Sequence, residues 1–134
     1  MSQENVEIVR AMLVASGPEA ERDEWLEEFF DPEIEWVNPP DAVERGTRHG
    51  RDSFGTAAES VADTFEGVAV DIDEMLAAGD RVVVLATLHG RGRGSGADVE
   101  RRQGYIWTLR DGKATRFEWF NTPDEALRAA GLHC

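Results

Sequence analysis

The run Val82-Val83-Val84-Leu85-Ala86-Thr87-Leu88 limits what this chain can fold into more than any other stretch. Successive side chains of a strand point to opposite faces, so a strand with one wet face alternates apolar with polar residues. Here both alternating sets are almost wholly apolar, and the strand must be covered on both sides. A period of two recurs around it. Val68, Val70 and Ile72 alternate with Ala69, Asp71 and Asp73, which predicts a half-buried strand from Gly67 onward. Ala78-Gly79-Asp80 turns that strand into the apolar one. A further strand spans Val99 to Leu109, and Arg110-Asp111-Gly112-Lys113 makes a tight hairpin turn into Ala114–Phe120.

The N-terminal half has a helical period instead. Val6, Val9 and Leu13, widened by Ile8 and Met12, mark one face of a helix from Gln3 to Ala15, with Ser2 at its N-cap. Gly17 and Pro18 stop that helix and start the next. The second helix pairs Trp25 with Phe29 and Leu26 with Phe30, and Asp31-Pro32 ends it. Ile34-Glu35-Trp36-Val37-Asn38-Pro39-Pro40 is extended, so Trp36 and Asn38 share a face before the proline bend. Asp41 to Gly50 reads as a polar loop. A third helix follows, with Phe54, Ala58, Val61 and Phe65 on one side, and Thr122-Pro123-Asp124-Glu125 opens a last one with capping-box spacing.

Helices first and hairpin-linked strands last make one α+β domain, residues 1–134, with an antiparallel sheet. The helices cover one sheet face. Too little chain remains for the other, so a homodimer through the outer sheet face is the simplest cover.

The 27 acidic residues against 14 basic ones steer the chain away from nucleic acid and anionic membrane. No apolar run approaches the roughly eighteen residues of a membrane span, and the N-terminus lacks a basic region followed by an apolar one. Cys134 has no internal partner, which points to a reducing cytoplasm. No two of His49, His89 and His133 are spaced as metal ligands, and neither a metal nor another cofactor is expected. Gly90-Arg91-Gly92-Arg93-Gly94-Ser95-Gly96 departs from the nucleotide fingerprints and precedes a strand, so it reads as a hairpin instead of an anion cradle.

Four segments carry a family resemblance. They are Glu4-Asn5-Val6-Glu7-Ile8-Val9-Arg10, Phe30-Asp31-Pro32-Glu33-Ile34-Glu35-Trp36, Ala78-Gly79-Asp80-Arg81-Val82-Val83-Val84 and Ile106-Trp107-Thr108-Leu109-Arg110-Asp111-Gly112-Lys113. Through them the chain resembles the SnoaL-like branch of the nuclear-transport-factor-2-like superfamily. The resemblance implies a strongly curved, mixed or antiparallel sheet wrapped around the N-terminal helices, a cone or cystatin-like α+β barrel, often dimeric. It also implies polyketide cyclases, ketosteroid isomerases, limonene-type epoxide hydrolases and dehydratases as relatives, so fold alone selects no reaction. The isomerase base would fall on Asn38, its oxyanion-hole acid on Tyr105 and its oxyanion-hole tyrosine near Ala11. The hydrolase residues that hold the attacking water would fall on Asn38 and Trp36, and its acid–base set on Leu88, Ala86 and Trp119.

With this sheet phase, Trp36, Asn38, Tyr105, Trp107 and Phe117 face one side together with Trp119 and Asn121. Val82, Val84, Ala86 and Leu88 share that side. Such a set either lines a pocket for a small apolar or aromatic molecule or fills a solid core. Asn38 is a pocket hydrogen-bonder or a cap for the turn before Pro39. His49, before the third helix, is a candidate acid or base or a surface residue, and His89 faces away. Arg45, Arg48 and Arg51 gather in the same loop and either attract an anion or are simply solvated. The expected function is small-molecule binding without an intact known catalytic set. The alternatives are a hydrolase, isomerase or cyclase using Asn38, Tyr105 and His49, and a protein-interaction module.

Overall fold

A computed structural model of the chain describes residues 2–15, 22–39, 46–52, 65–92 and 94–132. In chain order these give α1 (Ser2–Ala15), α2 (Arg22–Phe29), β1 (Phe30–Val37), β2 (Thr47–His49), β3 (Phe65–Ala78), β4 (Arg81–Gly92), β5 (Asp98–Arg110), β6 (Lys113–Phe120) and α3 (Pro123–Ala129). The six strands form one sheet in the order β2-β1-β6-β5-β4-β3. The architecture is α+β with a mixed sheet, as expected, and the sheet does not close into a barrel. β1 runs parallel to β6, and every other neighbouring pair is antiparallel. No hairpin joins β1 to β6, so nothing local forces them antiparallel.

Residues 53–64 of the expected third helix, the stop and restart at Gly17 and Pro18, and Arg45 lie outside the described residues. Two aromatic residues assigned to helices belong to strands. Phe30 opens β1, opposite Ala114, and Phe65 opens β3, opposite Gly92. Both are set by ladder pairing with distant chain, which outweighs local helical spacing. Asp31-Pro32 still ends the helical run, but the chain passes straight into strand. There Asp31 Oδ1 accepts the Glu33 N–H at 2.9 Å, inside a bulge where β1 advances from Phe30 to Glu35 while β6 advances only from Ala114 to Arg116.

Both faces of β4 are covered, as its composition requires. On the inner face Val82, Val84 and Ala86 pack with Val6, Val9 and Met12 of α1 and with Phe30, Ile34, Trp107 and Phe117. Trp25 of α2 ties the two helices by donating its indole N–H to Met12 O at 2.9 Å. On the outer face Val83, Leu85 and Ile106 pack under Ala126 and Ala130. Cover for that face therefore comes from α3 of the same chain, and apolar exposure at β4 does not demand a second copy. Thr122 caps α3 by accepting the Glu125 N–H at 3.2 Å, with Pro123 in the first turn. Arg81 donates to Ala129 O and Ala130 O at its other end.

The hairpin between β5 and β6 has positive φ at both central residues, Asp111 (53°) and Gly112 (80°). That is the primed turn whose twist suits two antiparallel strands. Gly90, Arg91 and Gly92 close β4, and in the link to β5 Gly92 N–H donates to Ala97 O and Gly96 N–H to Gly92 O. β3 departs from the alternation read in it. Val70 and Ile72 face inward beside Leu88 and Ala86 but remain 43% and 38% exposed. β3 is the last strand of the sheet, and a register shift between Ile72 and Glu74 interrupts its pairing, so little described structure covers it.

α3 lies so close to β5 that a Cβ on Gly104 would meet the Ala126 Cβ at 2.4 Å. Gly104→Ala is expected to lower stability by about 1–3 kcal/mol, as overpacking outweighs any gain in chain stiffness. Denaturant midpoints check this, and an unchanged or raised midpoint would show that α3 moves aside freely.

Candidate functional site

Ile34 and Trp36 of β1, and Asn38 just past its end, lie on the inner face. Asn38 is buried, and its amide carbonyl accepts two indole N–H groups, from Trp36 and from Trp119, each at 2.8 Å. An amide oxygen has two acceptor sites, and both are used. The other end of the amide points at the loop leading into β2: Nδ2 donates to Gly46 O at 3.3 Å, and the Asn38 backbone N–H donates to the same oxygen at 3.1 Å. Asn38 thus does both things its position allowed. It holds the turn, and it organises polar groups on the inner face.

The loop that carries Gly46 is itself strapped to β1. Gly50 N–H donates to Ile34 O at 2.7 Å, and the Arg51 guanidinium donates twice to Phe30 O, from Nε at 3.0 Å and Nη2 at 2.6 Å. Arg51 is therefore a brace at the start of the β1 bulge.

Phe117 sits at the centre of an aromatic cluster. Its ring centroid lies 4.4 Å from Trp107, 4.7 Å from Trp36 and 5.6 Å from Tyr105. Trp107 stacks on Phe30 at 5.8 Å, and Phe30 meets Trp25 edge-on at 4.7 Å. Phe117, Trp107, Val84 and Ala86 are buried, while Trp36, Tyr105 and Trp119 are half-buried above them. The deep part is packed core, and the part toward Trp36, Tyr105 and Trp119 keeps ring surface accessible. Leu88 and Asn121 are half-buried and lie outside the core cluster.

The Tyr105 hydroxyl donates to Gln103 Oε1 at 2.7 Å. Burial raises the phenol to about 12, so it is a neutral donor at any ordinary pH. Gln103, itself buried, is absent from the residues that the sequence marks out. The signal for it was available: Gln103, Tyr105, Trp107 and Leu109 alternate along β5.

His49 does not join this group. It pairs with Glu35 across β1 and β2, which puts its side chain on the face opposite Trp36. There it is 69% exposed, with Nδ1 3.6 Å from Glu35 Oε2. The short strand β2, inside what reads as a loop, determines that direction. His89 is on the outer face as expected, with Nε2 2.9 Å from Asp71 Oδ2 and Nδ1 3.7 Å from Glu100 Oε2. Ala11 is exposed on α1. Along β4, β5 and β6, and along β1 from Ile34, alternation places no Asp, Glu or His on the Trp36 face. Among the described residues no group of three His, Cys, Asp or Glu could hold a metal ion, and no helix is long and apolar enough to cross a membrane.

Two outcomes check the site. Asn38→Leu strands two part-buried indole N–H groups and should cost about 2–4 kcal/mol, from the lower part of the roughly 1–3 kcal/mol for each donor left without an acceptor. Adding Trp36→Phe should then cost less than it does alone, and strict additivity in the denaturation cycle would exclude the shared acceptor. Tyr105 is the chain's one tyrosine, so tyrosinate absorbance reports it alone. Its folded value, about 12, lies above the ordinary 10.0. The stability this represents is fully present below pH 10.0 and is lost as pH rises from there through about 12. An absorbance midpoint near 10.0 in the folded protein would show the phenol to be solvated.

Residues 9–117 match the profile of the family described as the SnoaL-like domain. A SnoaL-like polyketide cyclase from Jannaschia sp. CCS1, so assigned provisionally, is similar in structure at a TM-score of 0.77 and 22% identity, over 89% of this chain and 85% of that one. TerC, crystallised with polyporic acid, is 25% identical at a TM-score of 0.73, over 95% and 98%. A Catenulispora acidiphila protein with a ketosteroid isomerase-like fold, in complex with trimethylamine, is 23% identical at a TM-score of 0.71, over 95% and 94%. No curated protein matches the chain in sequence.

Proposed function

Because the chain belongs to the SnoaL-like domain family, we propose that it binds a small, flat, largely apolar molecule on the inner face of its sheet. The ligand lies against the accessible ring surface of Trp36, Tyr105 and Trp119. The observation that carries this reading is the double acceptance at Asn38. It turns both indole N–H groups onto one internal oxygen and leaves ring surface for apolar contact. The family setting supports it, since neighbours are described as polyketide cyclase and isomerase-like, and TerC was crystallised with polyporic acid.

Acid–base turnover of the isomerase kind is the less favoured reading. Proton abstraction beside a carbonyl needs a base near its operating pH. The amide of Asn38 is not one, and Tyr105 holds its proton to about 12. Hydrolase-type activation of water meets the same obstacle, because Leu88, Ala86 and Trp119 carry no acid or base. The proposal places the protein in the cytoplasm. It keeps a homodimer as the use of the outer sheet face beyond α3.

Titration with flat polycyclic phenols, ketones and quinones should quench tryptophan emission saturably. Trp119→Leu should weaken the binding about tenfold, the order expected for an aromatic ring stacked on a ligand. No saturable change with any member of the panel would remove the proposal.

A further inference from the structure

Gln103 occupies a position where an uncommitted amide is unusual. Alternation along β5 puts it on the inner face with Tyr105 and Trp107, and its ladder partner is Ala86, which is fully buried on that face. Gln103 is only 8% exposed, whereas amide side chains mostly face water. Its carbonyl takes the Tyr105 O–H, which fixes the amide's orientation and turns Nε2 away from the phenol. Among the described residues none accepts a hydrogen bond from that Nε2. The pair therefore retains amide N–H donors and acceptor capacity on the phenolic oxygen. Asn38 retains far less, with both carbonyl sites filled and its nitrogen on Gly46 O.

We infer that Gln103, oriented by Tyr105, is the polar anchor of the ligand site and donates from Nε2 to an uncharged oxygen, a carbonyl or a phenol, on a flat apolar ligand. This rests on the small-molecule reading above and gives it a ligand class. The apolar body then lies toward Trp119, the neighbour of Tyr105 across the β5–β6 ladder. Toward the rim it meets Leu88, Val70 and Ile72, whose inward side chains are incompletely covered.

The preference for an uncharged oxygen follows from the company Gln103 keeps. Tyr105 is a neutral phenol, and the neighbouring inner-face residues Ala86, Val84 and Trp107 carry no charge. An ionised oxygen would lose its hydration here, at a cost a neutral amide does not repay. Arg101, the next inward position toward the rim, is exposed; Arg48, the ladder partner of Trp36, shares the inner face but stands on β2, three strands from Gln103 on β5.

Equilibrium dialysis with naphthalene, naphthol and naphthoate tests the inference on the wild type, Gln103→Met and Tyr105→Phe. The wild type should hold naphthol more tightly than naphthalene or naphthoate. Gln103→Met should weaken naphthol about fivefold, the worth of one neutral hydrogen bond, and leave naphthalene within about twofold. Retained naphthalene binding also shows that the variant is folded. Tyr105→Phe frees the amide to turn and should weaken naphthol in the same sense. Equal effects of Gln103→Met on naphthol and naphthalene would overturn the anchor while leaving the apolar site standing. So would naphthoate binding more tightly than naphthol, because an anion would then be answering to arginine. If none of the three binds the wild type, the anchor and the small-molecule reading fall together.

Discussion

One amide oxygen between two indoles organises this structure's inner face. Asn38 Oδ1 joins the end of β1 to Trp119 on β6, while its nitrogen and backbone reach the Gly46 carbonyl before β2. Four hydrogen bonds thus converge on one side chain and its own backbone at a parallel pairing that no hairpin enforces. In a buried setting each bond matters chiefly because leaving its donor unmet is expensive. The rest of the aromatic cluster inherits its geometry from this point. Trp36 is held against Phe117, and Phe117 in turn contacts Trp107 and Tyr105.

The same arrangement explains why the face is suited to binding and poorly suited to proton transfer. A carboxylate at position 38 could also accept two indole N–H groups, but it would confront the Gly46 carbonyl with a second acceptor. The amide resolves that conflict with its N–H donor and gives up basicity in doing so. Position 38 thus serves as a structural clasp. Asn38 with its two indoles and Gln103 with the Tyr105 phenol are neutral pairings, which need no counter-ion.

Legibility in the sequence followed the range of the interactions. The Asp111-Gly112 turn, the Thr122–Glu125 cap and the two-sided burial of β4 are local patterns, and each was readable. The common face of Trp36 and Asn38 was equally readable, since alternation over three residues depends on no distant partner. Phe30 and Phe65 were misread because ladder partners far along the chain override helical spacing. The choice between the two readings of His49 was not legible, because its direction depends on β2, a three-residue strand with no periodicity to detect. That α3 covers the outer face of β4 was not legible, because its docking depends on a close approach between distant parts of the chain. Gly104 makes a short helix sufficient by letting Ala126 sit directly against β5. Val70 and Ile72 alternate like half-buried residues, but alternation says nothing about a strand's place in the sheet, and theirs is the edge.

Gln103 shows what pattern reading omits. Its position follows from the same alternation that places Tyr105 and Trp107, but a lone glutamine carries no sequence signal of burial. Only the contact with the Tyr105 hydroxyl gives it a defined orientation, and that orientation decides which hydrogen-bonding group faces outward. Two amides on one face thus acquire different characters from their partners. Asn38 meets two donors and turns its carbonyl inward, saturated. Gln103 meets one donor, a phenol with its proton firmly held, and turns its amino group toward whatever approaches. Selectivity on such a face comes from which polar group is left over after the protein has satisfied itself.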